Sequence, residues 1–292
     1  MSKQQERAQA IDKDRRVPLS CVLIQCFKHP TLSSSERCLM CGANFPQHLP
    51  SSKSEMDSRG WHELDILLIS GDAYVDHPAF GVPLLGRLLE AEGYRVGIIA
   101  QPAWKDPESF RVMGRPRLFA ALSAGAMDSM VNHYTAAKKV RNNDAYTPGG
   151  RSGARPDRAL IAYTAALKGA FKGLPVVIGG IEASLRRLAH YDYWQDRVRR
   201  SVLVDSKADL LVFGMGERPL LEIARRAAAG DPLKKMLDIR GTAAMVKDEP
   251  GNAVRLPPFE QVRDDRQAYG EAFRSAAGEN NPWSGRPLTQ AY

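Results

Sequence analysis

The sequence lacks the patterns that mark several common classes of protein. No apolar run approaches the roughly 18 residues that a membrane-spanning helix needs, and the N-terminus has no apolar core of a signal peptide. Gly-x4-Gly-Lys-Ser/Thr does not occur, and no Gly-x-Gly-x-x-Gly follows a strand, so the common nucleotide-binding signatures are missing. Cys-x3-Cys-x2-Cys is also missing. We therefore expect a soluble, cytoplasmic protein with no membrane partner.

Cysteine is scarce, and its placement leaves two interpretations open. All four cysteines of the 292 residues fall within 21–41, and they are Cys21, Cys26, Cys38 and Cys41. The second pair has the spacing of a zinc knuckle, whereas the first pair is separated by four residues, with His29 and His48 as possible substitutes. These cysteines either bind zinc or are unpaired thiols in an N-terminal extension.

The composition is that of a globular protein, with 43% hydrophobic and 25% charged residues. A chain of this length can bury a full core as one large α/β domain with extensions. Residues 1–50 are polar, rich in Ser and Pro, and without sustained periodicity, so we expect a disordered extension. Residues 51–250 are expected to form the α/β domain. Residues 251–292 are expected to be a helical connector towards a further domain that this chain does not contain.

The net charge of +8 is unevenly distributed along the chain. Residues 138–158 carry six Lys/Arg against two Asp/Glu, and residues 186–200 carry five against two. A local basic excess is found in proteins that bind nucleic acid, phosphate-bearing ligands or acidic partners, although solvated loop charge is the plainer explanation. The Gly, Pro and Asn content of 138–158 predicts a long mobile loop, and Tyr146 is its one aromatic residue.

Strand-like and helix-like patterns alternate through the middle of the chain. Apolar repeats at helical spacing separate the short apolar runs, as in a βαβ unit. The fold class predicted is α/β, a Rossmann-like, doubly wound and mainly parallel sheet of five to six strands with flanking helices. The predicted strands lie at 65–69, 95–100, 118–122, 176–178 and 210–213, with a weaker one at 243–246. One helix is predicted within 259–277.

Three of these strands run directly into loops that hold polar residues and glycines. The first is LDILLISGDAYVDHPAFG at 64–81, and the same arrangement returns at 174–194 and 208–230. Because open α/β sheets bind ligands at the carboxyl ends of parallel strands, we expect one composite site there. The alternative is that glycines after strands only make tight turns. The candidate ligand-binding or docking residues are Asp72, Asp76, His77, Gly81, Gly179, Gly180, Glu182, Arg186, Arg187, Gly214, Gly216 and Glu217.

Most of these residues also have a purely structural interpretation. Asp72 and Asp76 are either a carboxylate pair or caps of a helix that Pro78 begins. His77 is either a ligand or acid–base group, or a loop histidine bonded to backbone. The two glutamates open helices, where the helix dipole favours a carboxylate without any function. The arginines either bind an anion or docking partner or are simply exposed, and Tyr191, Tyr193 and Trp194 are expected to be packing residues.

Several long motifs, in order along the chain, resemble one known family. They include GDAYVDHPAFG, DSMVNHYT, NDAYTPGG, IGGIEASLRRLAHYDYW and GMGERPL. Together they resemble the N-terminal domain of the YgiQ-type radical SAM proteins, over roughly residues 55 to 292. Members of that family carry a radical SAM barrel whose three cysteines hold a four-iron four-sulfur cluster that cleaves S-adenosylmethionine. The resemblance implies an accessory domain that covers or orients substrate over this barrel and is not catalytic alone.

A more distant resemblance is to the cobalamin-binding domain that precedes many radical SAM barrels. That domain type uses an Asp-x-His-x-x-Gly run to ligate cobalt through histidine. Here Asp76 directly precedes His77 and Gly81 follows four residues later, so the spacing differs and a corrinoid is not expected on His77. The alternative function is a stand-alone module that binds a small ligand or nucleic acid through the loops at 71–81, 138–158 and 179–200.

Overall fold

The computed structural model describes residues 48–281 and 284–292. Within them, one six-stranded sheet carries the fold, and two short two-stranded sheets flank it. The strands are β1 (Ile66–Ser70), β2 (Val96–Ala100), β3 (Phe119–Ser123), β4 (Val176–Gly179), β5 (His190–Asp192), β6 (Arg197–Arg199), β7 (Leu210–Val212), β8 (Thr242–Ala243), β9 (Val254–Arg255) and β10 (Leu288–Thr289).

Helices occupy most of the segments between these strands. They are α1 (Lys53–Ser58), α2 (Gly81–Ala91), α3 (Ser129–His133), α4 (Ala159–Ala170), α5 (Gly180–Leu185), α6 (Val202–Ser206), α7 (Glu217–Ala228), α8 (Phe259–Asp264) and α9 (Arg266–Gly278). Single 3-10 turns lie at Pro107–Phe110, Pro148–Gly150 and Leu233–Lys235.

The central sheet has the strand order β2-β1-β3-β4-β7-β8. The first five strands are parallel, and β8 is antiparallel to β7. The order therefore reverses between β1 and β3, which is the place where doubly wound sheets of this order bind their ligands. The predicted fold class is confirmed: the sheet is mainly parallel, Rossmann-like, and flanked by helices.

The core lies on both faces of this sheet, which explains why β1 is apolar at almost every position. All five residues of β1 are buried. Leu67 belongs to a buried cluster with Tyr163 of α4, while its neighbour Leu68 belongs to a second cluster with Leu89 of α2 and Ile223 of α7. Alternate β1 side chains thus enter opposite layers, as the period of a strand requires. The result is a sheet between two helical layers.

Several local predictions were wrong. The helix after β1 begins at Gly81 with Phe80 at its N-cap position, so Pro78 does not begin it. The single helix expected within 259–277 is two helices, because Asp265 ends α8 in extended backbone and caps α9 by accepting from the amide of Gln267. The β5–β6 hairpin was not predicted, since strands of three residues give too little alternation to recognise.

Within the described part of the chain, none of the helices combines the length and apolar composition needed to cross a bilayer.

Candidate functional site

The candidate residues lie in the loops that follow β1, β4 and β7. Because these strands are parallel, all three loops emerge at one edge of the sheet, which we call the carboxyl edge. The structure therefore places residues 72–77, 179–182 and 214–217 at the same edge of the sheet. Two of these regions are linked by a hydrogen bond: the amide of Gly214, after β7, donates to Ser184 Oγ, in the helix after β4, at 3.1 Å.

The crevice between β1 and β3 is filled by a buried ion pair. Asp72 follows β1, is 4% exposed, and accepts a hydrogen bond from the amide of Ala126 at 2.6 Å. Arg155 is 1% exposed, and its Nη2 lies 2.8 Å from Asp72 Oδ1. The same guanidinium donates through Nη1 to the carbonyl of Ala124 at 2.8 Å and lies 3.3 Å from Asp144. The protein's own side chains thus occupy the place where a ligand would enter.

Two glycines allow the loops after β1 and β3 to touch. A Cβ at Gly125, whose φ is +107°, would lie 2.1 Å from Asp72 Oδ1. A Cβ at Gly71 would lie 2.2 Å from the carbonyl oxygen of Ala124. Contacts this short exclude any side chain at either position, so glycine is required by the close approach. The crevice is closed by backbone as well as by the ion pair.

Residues 138–158, where we predicted a mobile loop, are mostly exposed but are anchored by the buried side chains of Asp144, Thr147 and Arg155. Asp144 is 2% exposed and accepts from Asn132 Nδ2 at 2.8 Å, from Thr147 Oγ1 at 3.1 Å and from the amide of Tyr146 at 2.9 Å. Although burial acts to raise it, these donors and Arg155 hold the pKa of Asp144 below its ordinary value. Local composition does not reveal this anchoring, because Arg155 and Asp144 find partners on distant parts of the chain. The mobility of the segment stays a prediction.

Glu182, in the first turn of α5, faces the interior and not the solvent. It is fully buried and accepts from the amide and the hydroxyl of Ser129, at 2.9 and 2.5 Å. It also accepts from the amide of Leu160 at 3.2 Å, which ties α3 and α4 to α5. Burial raises the pKa of Glu182, and the nearby carboxylate of Asp128 adds to that effect. Its position serves the packing of three helices.

Arg186 is likewise internal. It is 7% exposed and forms a two-point ion pair with Asp128, at 2.7 and 2.9 Å. Asp128 is also the N-cap of α3, where its Oδ1 accepts from the amides of Met130 and Val131. The expectation that Arg186 faces an anion or a partner does not fit this burial. Its charge is already used to fix the end of α5 against α3.

Arg187 packs at the carboxyl end of β7. Its guanidinium lies 4.9 Å from the centroid of the Phe213 ring, and it donates to the carbonyl of Ser184 at 2.6 Å and to Asn280 Oδ1 at 3.1 Å. Because that stacking and those hydrogen bonds hold the side chain, it connects the sheet edge with the end of α9.

A small polar cavity lies behind α5. Its volume is about 10 Å³, room for about one water, and Arg158, Glu182, Arg186, His190 and Arg199 are among the residues that line it. Arg186 Nη1 and His190 Nε2 have no hydrogen-bond partner among the described residues. Burial lowers the pKa of His190 to about 4. The cavity is therefore too small to hold a ligand larger than a water molecule.

His77 and Asp76 are the exposed part of the β1 loop. The His77 ring accepts from the amide of Ala79 through Nδ1 at 3.1 Å, and Asp76 pairs with Arg87 of α2. Neither Asp76 nor Asp72 caps α2, so the cap interpretation was wrong. His77 is therefore a loop histidine bonded to backbone, which is the second of the two interpretations given above. With the β1–β3 crevice filled, these residues do not fit a corrinoid.

The remaining glycines and Glu217 form the loop that enters α7. Glu217 occupies the first turn of α7, as the helix dipole favours, and Gly214 has a φ of +71°. Between Gly214 and Gly216 the side chain of Met215 is 80% exposed. Gly81 begins α2, and a Cβ there would meet open space.

Sequence reasoning missed an apolar patch on the carboxyl edge. Ile181 and Leu185 are one helical turn apart on α5 and are 42% and 61% exposed. Met215 lies in the neighbouring loop and follows Gly214, whose amide donates to Ser184 of the same helix. We call Ile181, Leu185 and Met215 the edge patch. A signal was available in the sequence, because these apolar residues interrupt loops that otherwise hold glycine and charged residues.

Among residues 48–281 and 284–292, no group of three or more His, Cys, Asp or Glu side chains is arranged to hold a metal ion. The zinc interpretation concerns Cys21, Cys26, Cys38 and Cys41, which lie outside the described residues.

Comparison with known proteins identifies the family. The model of the family described as radical SAM N-terminal matches residues 48–292. The chain belongs to this family. A UPF0313 protein of Geobacter sulfurreducens is 61% identical over 247 residues, covering 84% of this chain and 41% of the relative. The UPF0313 protein YgiQ of Shigella flexneri is 54% identical over 239 residues, covering 80% of this chain and 32% of the relative. The YgiQ-type resemblance is confirmed.

This chain spans less than half the length of the curated relatives it matches. Among solved structures, the radical S-adenosylmethionine methyltransferase TsrM from Kitasatospora setae matches with a TM-score of 0.42 and 16% identity. That match covers 62% of this chain and 28% of the methyltransferase, and a likeness of this degree says nothing of function.

Proposed function

We propose that this domain is the accessory domain of a YgiQ-type radical SAM iron–sulfur protein of the cytoplasm, and that its carboxyl edge docks on the cluster-bearing domain. The family membership supports the assignment, and the sequence has no Cys-x3-Cys-x2-Cys of its own. In this proposal the cluster and S-adenosylmethionine are bound by the other domain. The accessory domain covers or orients the substrate there.

The edge patch is the observation that carries this proposal. The charged groups Asp72, Glu182 and Arg186 of the same edge are buried with internal partners, whereas Leu185 and Met215 are 61% and 80% exposed. Contiguous exposed apolar side chains mark interaction surfaces, and the flexible thioether of methionine adapts well to a partner. An edge whose charged groups are paired internally and whose apolar groups are open is suited to bind protein.

The small-ligand form of the alternative function is not favoured. A stand-alone ligand module of this strand order would need an open crevice between β1 and β3, and Asp72 and Arg155 fill that crevice.

The direct experiment is a titration of this chain with the part of the Geobacter sulfurreducens relative that it does not match, made as a separate chain and followed by calorimetry. Leu185→Asp and Met215→Asp should each weaken binding at least tenfold, because a carboxylate would be buried against apolar surface. Val112→Asp is the matched control: Val112 is 50% exposed and lies in the segment leading to the amino end of β3. The proposal would be contradicted if all three variants lost affinity equally, or if none of them lost affinity.

A further inference from the structure

The two basic segments of the chain, 138–158 and 186–200, meet in the structure. The hydroxyl of Tyr193, just after β5, donates to the carbonyl of Ala136 at 2.7 Å. Lys138 Nζ lies 3.4 Å from the carbonyl of Trp194 and 5.0 Å from the centroid of the Tyr193 ring. The tip of the β5–β6 hairpin therefore rests on the turn at residues 135–139. We call the surface formed there the aromatic–basic face: Lys138, Lys139, Arg141, Tyr191 and Tyr193.

The hairpin presents its aromatic rings outward. Alternation along β5 turns His190 and Asp192 inward, where Asp192 is 1% exposed and paired with Arg158. Tyr191 and Tyr193 occupy the opposite positions and are 47% and 46% exposed. The expectation that both are packing residues was therefore only half right. Each retains ring surface that faces solvent.

The Tyr193 ring is held in place before any ligand arrives. Its hydroxyl is bonded to Ala136, Lys138 lies over one of its faces, and Trp194 meets it edge-on with the ring centroids 5.7 Å apart. Trp194 in turn contacts Tyr134 at 6.4 Å. A ring with a fixed orientation loses little conformational entropy when something stacks on it.

The cations of this face have no carboxylate partners among the described residues, unlike their sequence neighbours. Arg155, Arg158, Arg186, Arg199 and Arg200 all pair with aspartates. Those pairs neutralise five aspartates, of which Asp144 and Asp192 lie in the two segments.

What remains on the aromatic–basic face is positive. Arg141 donates to the carbonyl of Tyr134, so no carboxylate neutralises its charge. Two carboxylates lie nearby: Asp196 accepts from the hydroxyl of Tyr191, and Asp157 accepts from that of Tyr134 and pairs with His133. The face thus has three cations and two half-exposed rings, with Lys138 directly over the Tyr193 ring.

We propose that the aromatic–basic face binds single-stranded nucleic acid. Tyr191 and Tyr193 stack on unpaired bases, and Lys138, Lys139 and Arg141 contact phosphates. Stacking needs exposed base faces, which a duplex offers only at its ends, and it tolerates any base. An acidic protein would satisfy the cations but would leave the rings without a flat partner. This inference does not rest on the proposed docking of the carboxyl edge.

The test uses the whole chain and fluorescein-labelled 15-mers: oligo-uridine, oligo-thymidine and a mixed-sequence duplex, followed by anisotropy at several salt concentrations. Both single strands should bind more tightly than the duplex, and a preference between them would identify RNA or DNA as the natural ligand. The logarithm of the association constant should fall linearly as the logarithm of the salt concentration rises. The slope should be about −0.7 for each phosphate contact.

Two pairs of variants separate stacking from charge. Tyr191→Leu should weaken single-strand binding roughly 5-fold to 150-fold, the range of one lost base stack, while Tyr191→Phe keeps it. The double variant Lys139→Ala with Arg141→Ala should reduce the salt dependence of binding, whereas Lys172→Ala with Lys235→Ala, two lysines outside this face, should not.

Three results would overturn the proposal. The first is that the duplex binds as tightly as the single strands and that Tyr191→Leu leaves the affinity for single strands unchanged. The second is an equal loss for the two double variants. The third is displacement of labelled oligo-uridine by poly-glutamate as effectively as by unlabelled oligo-uridine, when the two competitors are compared at equal concentrations of negative charge. That result would show that an acidic protein surface binds equally well.

Discussion

Arg155 and Asp72 form a buried ion pair, with 2.8 Å between Nη2 and Oδ1, at the point where the strand order of the sheet reverses. In doubly wound sheets that point is where ligands enter. Here the chain supplies its own cation and anion, and the backbones of the two flanking loops touch. With the crevice filled, our two proposals concern exposed surfaces instead, which are the edge patch and the aromatic–basic face.

Arg155→Met tests the importance of this ion pair. Removing the guanidinium leaves Asp72 and Asp144 buried without their cation, which should lower the free energy of unfolding by about 3–5 kcal/mol. The control is Arg151→Met in the same segment, where the side chain is exposed and the change should stay within about 0.5 kcal/mol. Urea unfolding measures the free energy of unfolding of both variants. If Arg155→Met lowered it as little as Arg151→Met does, the ion pair would not hold the segment in place.

Gly125→Ala tests whether the loops after β1 and β3 must touch. Gly125 and Gly153 both have positive φ, +107° and +82°, but a Cβ meets Asp72 only at the first and open space at the second. Gly153→Ala should therefore cost about 1 kcal/mol of backbone strain, and Gly125→Ala a further 1–3 kcal/mol of overlap. Thermal unfolding of the two variants compares them. Equal costs would mean that the crevice can open without penalty.

His190 should make stability depend on pH. Burial lowers its pKa from 6.5 to about 4, with Arg186 and Arg199 adding to this and Asp192 opposing it. The unfolded chain then binds more protons than the folded one between these values, so stability should fall as pH falls from about 6.5 to 4. The contribution is at most about 3 kcal/mol.

The comparison for this pH dependence is His190→Gln, which should flatten the stability curve in that pH range. His62→Gln, which replaces an exposed histidine, should leave the slope unchanged. Urea unfolding at half-unit steps from pH 4 to 7 provides the curves. If His190→Gln and the parent chain gave parallel curves, His190 would not be the group responsible.

The chain alone should not bind the family's cluster. Because Cys-x3-Cys-x2-Cys is missing, we expect anaerobic reconstitution with iron and sulfide to give no four-iron four-sulfur cluster and no cleavage of S-adenosylmethionine. Absorbance and iron content measure the first, and product analysis measures the second. A stoichiometric cluster that survives Cys38→Ala would contradict this expectation.

The sequence was sufficient where the signal is local. The apolar run of β1 and the alternation of strands and helices predict the sheet, because burial on both faces leaves a continuous apolar pattern. It was not sufficient where partners are distant: Arg155 looks like a loop cation until Asp72 is placed beside it. Tyr191 and Tyr193 look like packing residues because the hairpin that turns them outward is too short to recognise.

The central claim is that the edge patch is a docking surface, and hydrogen–deuterium exchange tests it most directly. The measurement compares this chain alone with a chimera in which it replaces the matching region of the Geobacter sulfurreducens relative. We predict slower exchange in the chimera at 180–186 and 213–217, with no change at 108–114. Unchanged exchange at the edge patch, or equal protection of both regions, would contradict the account.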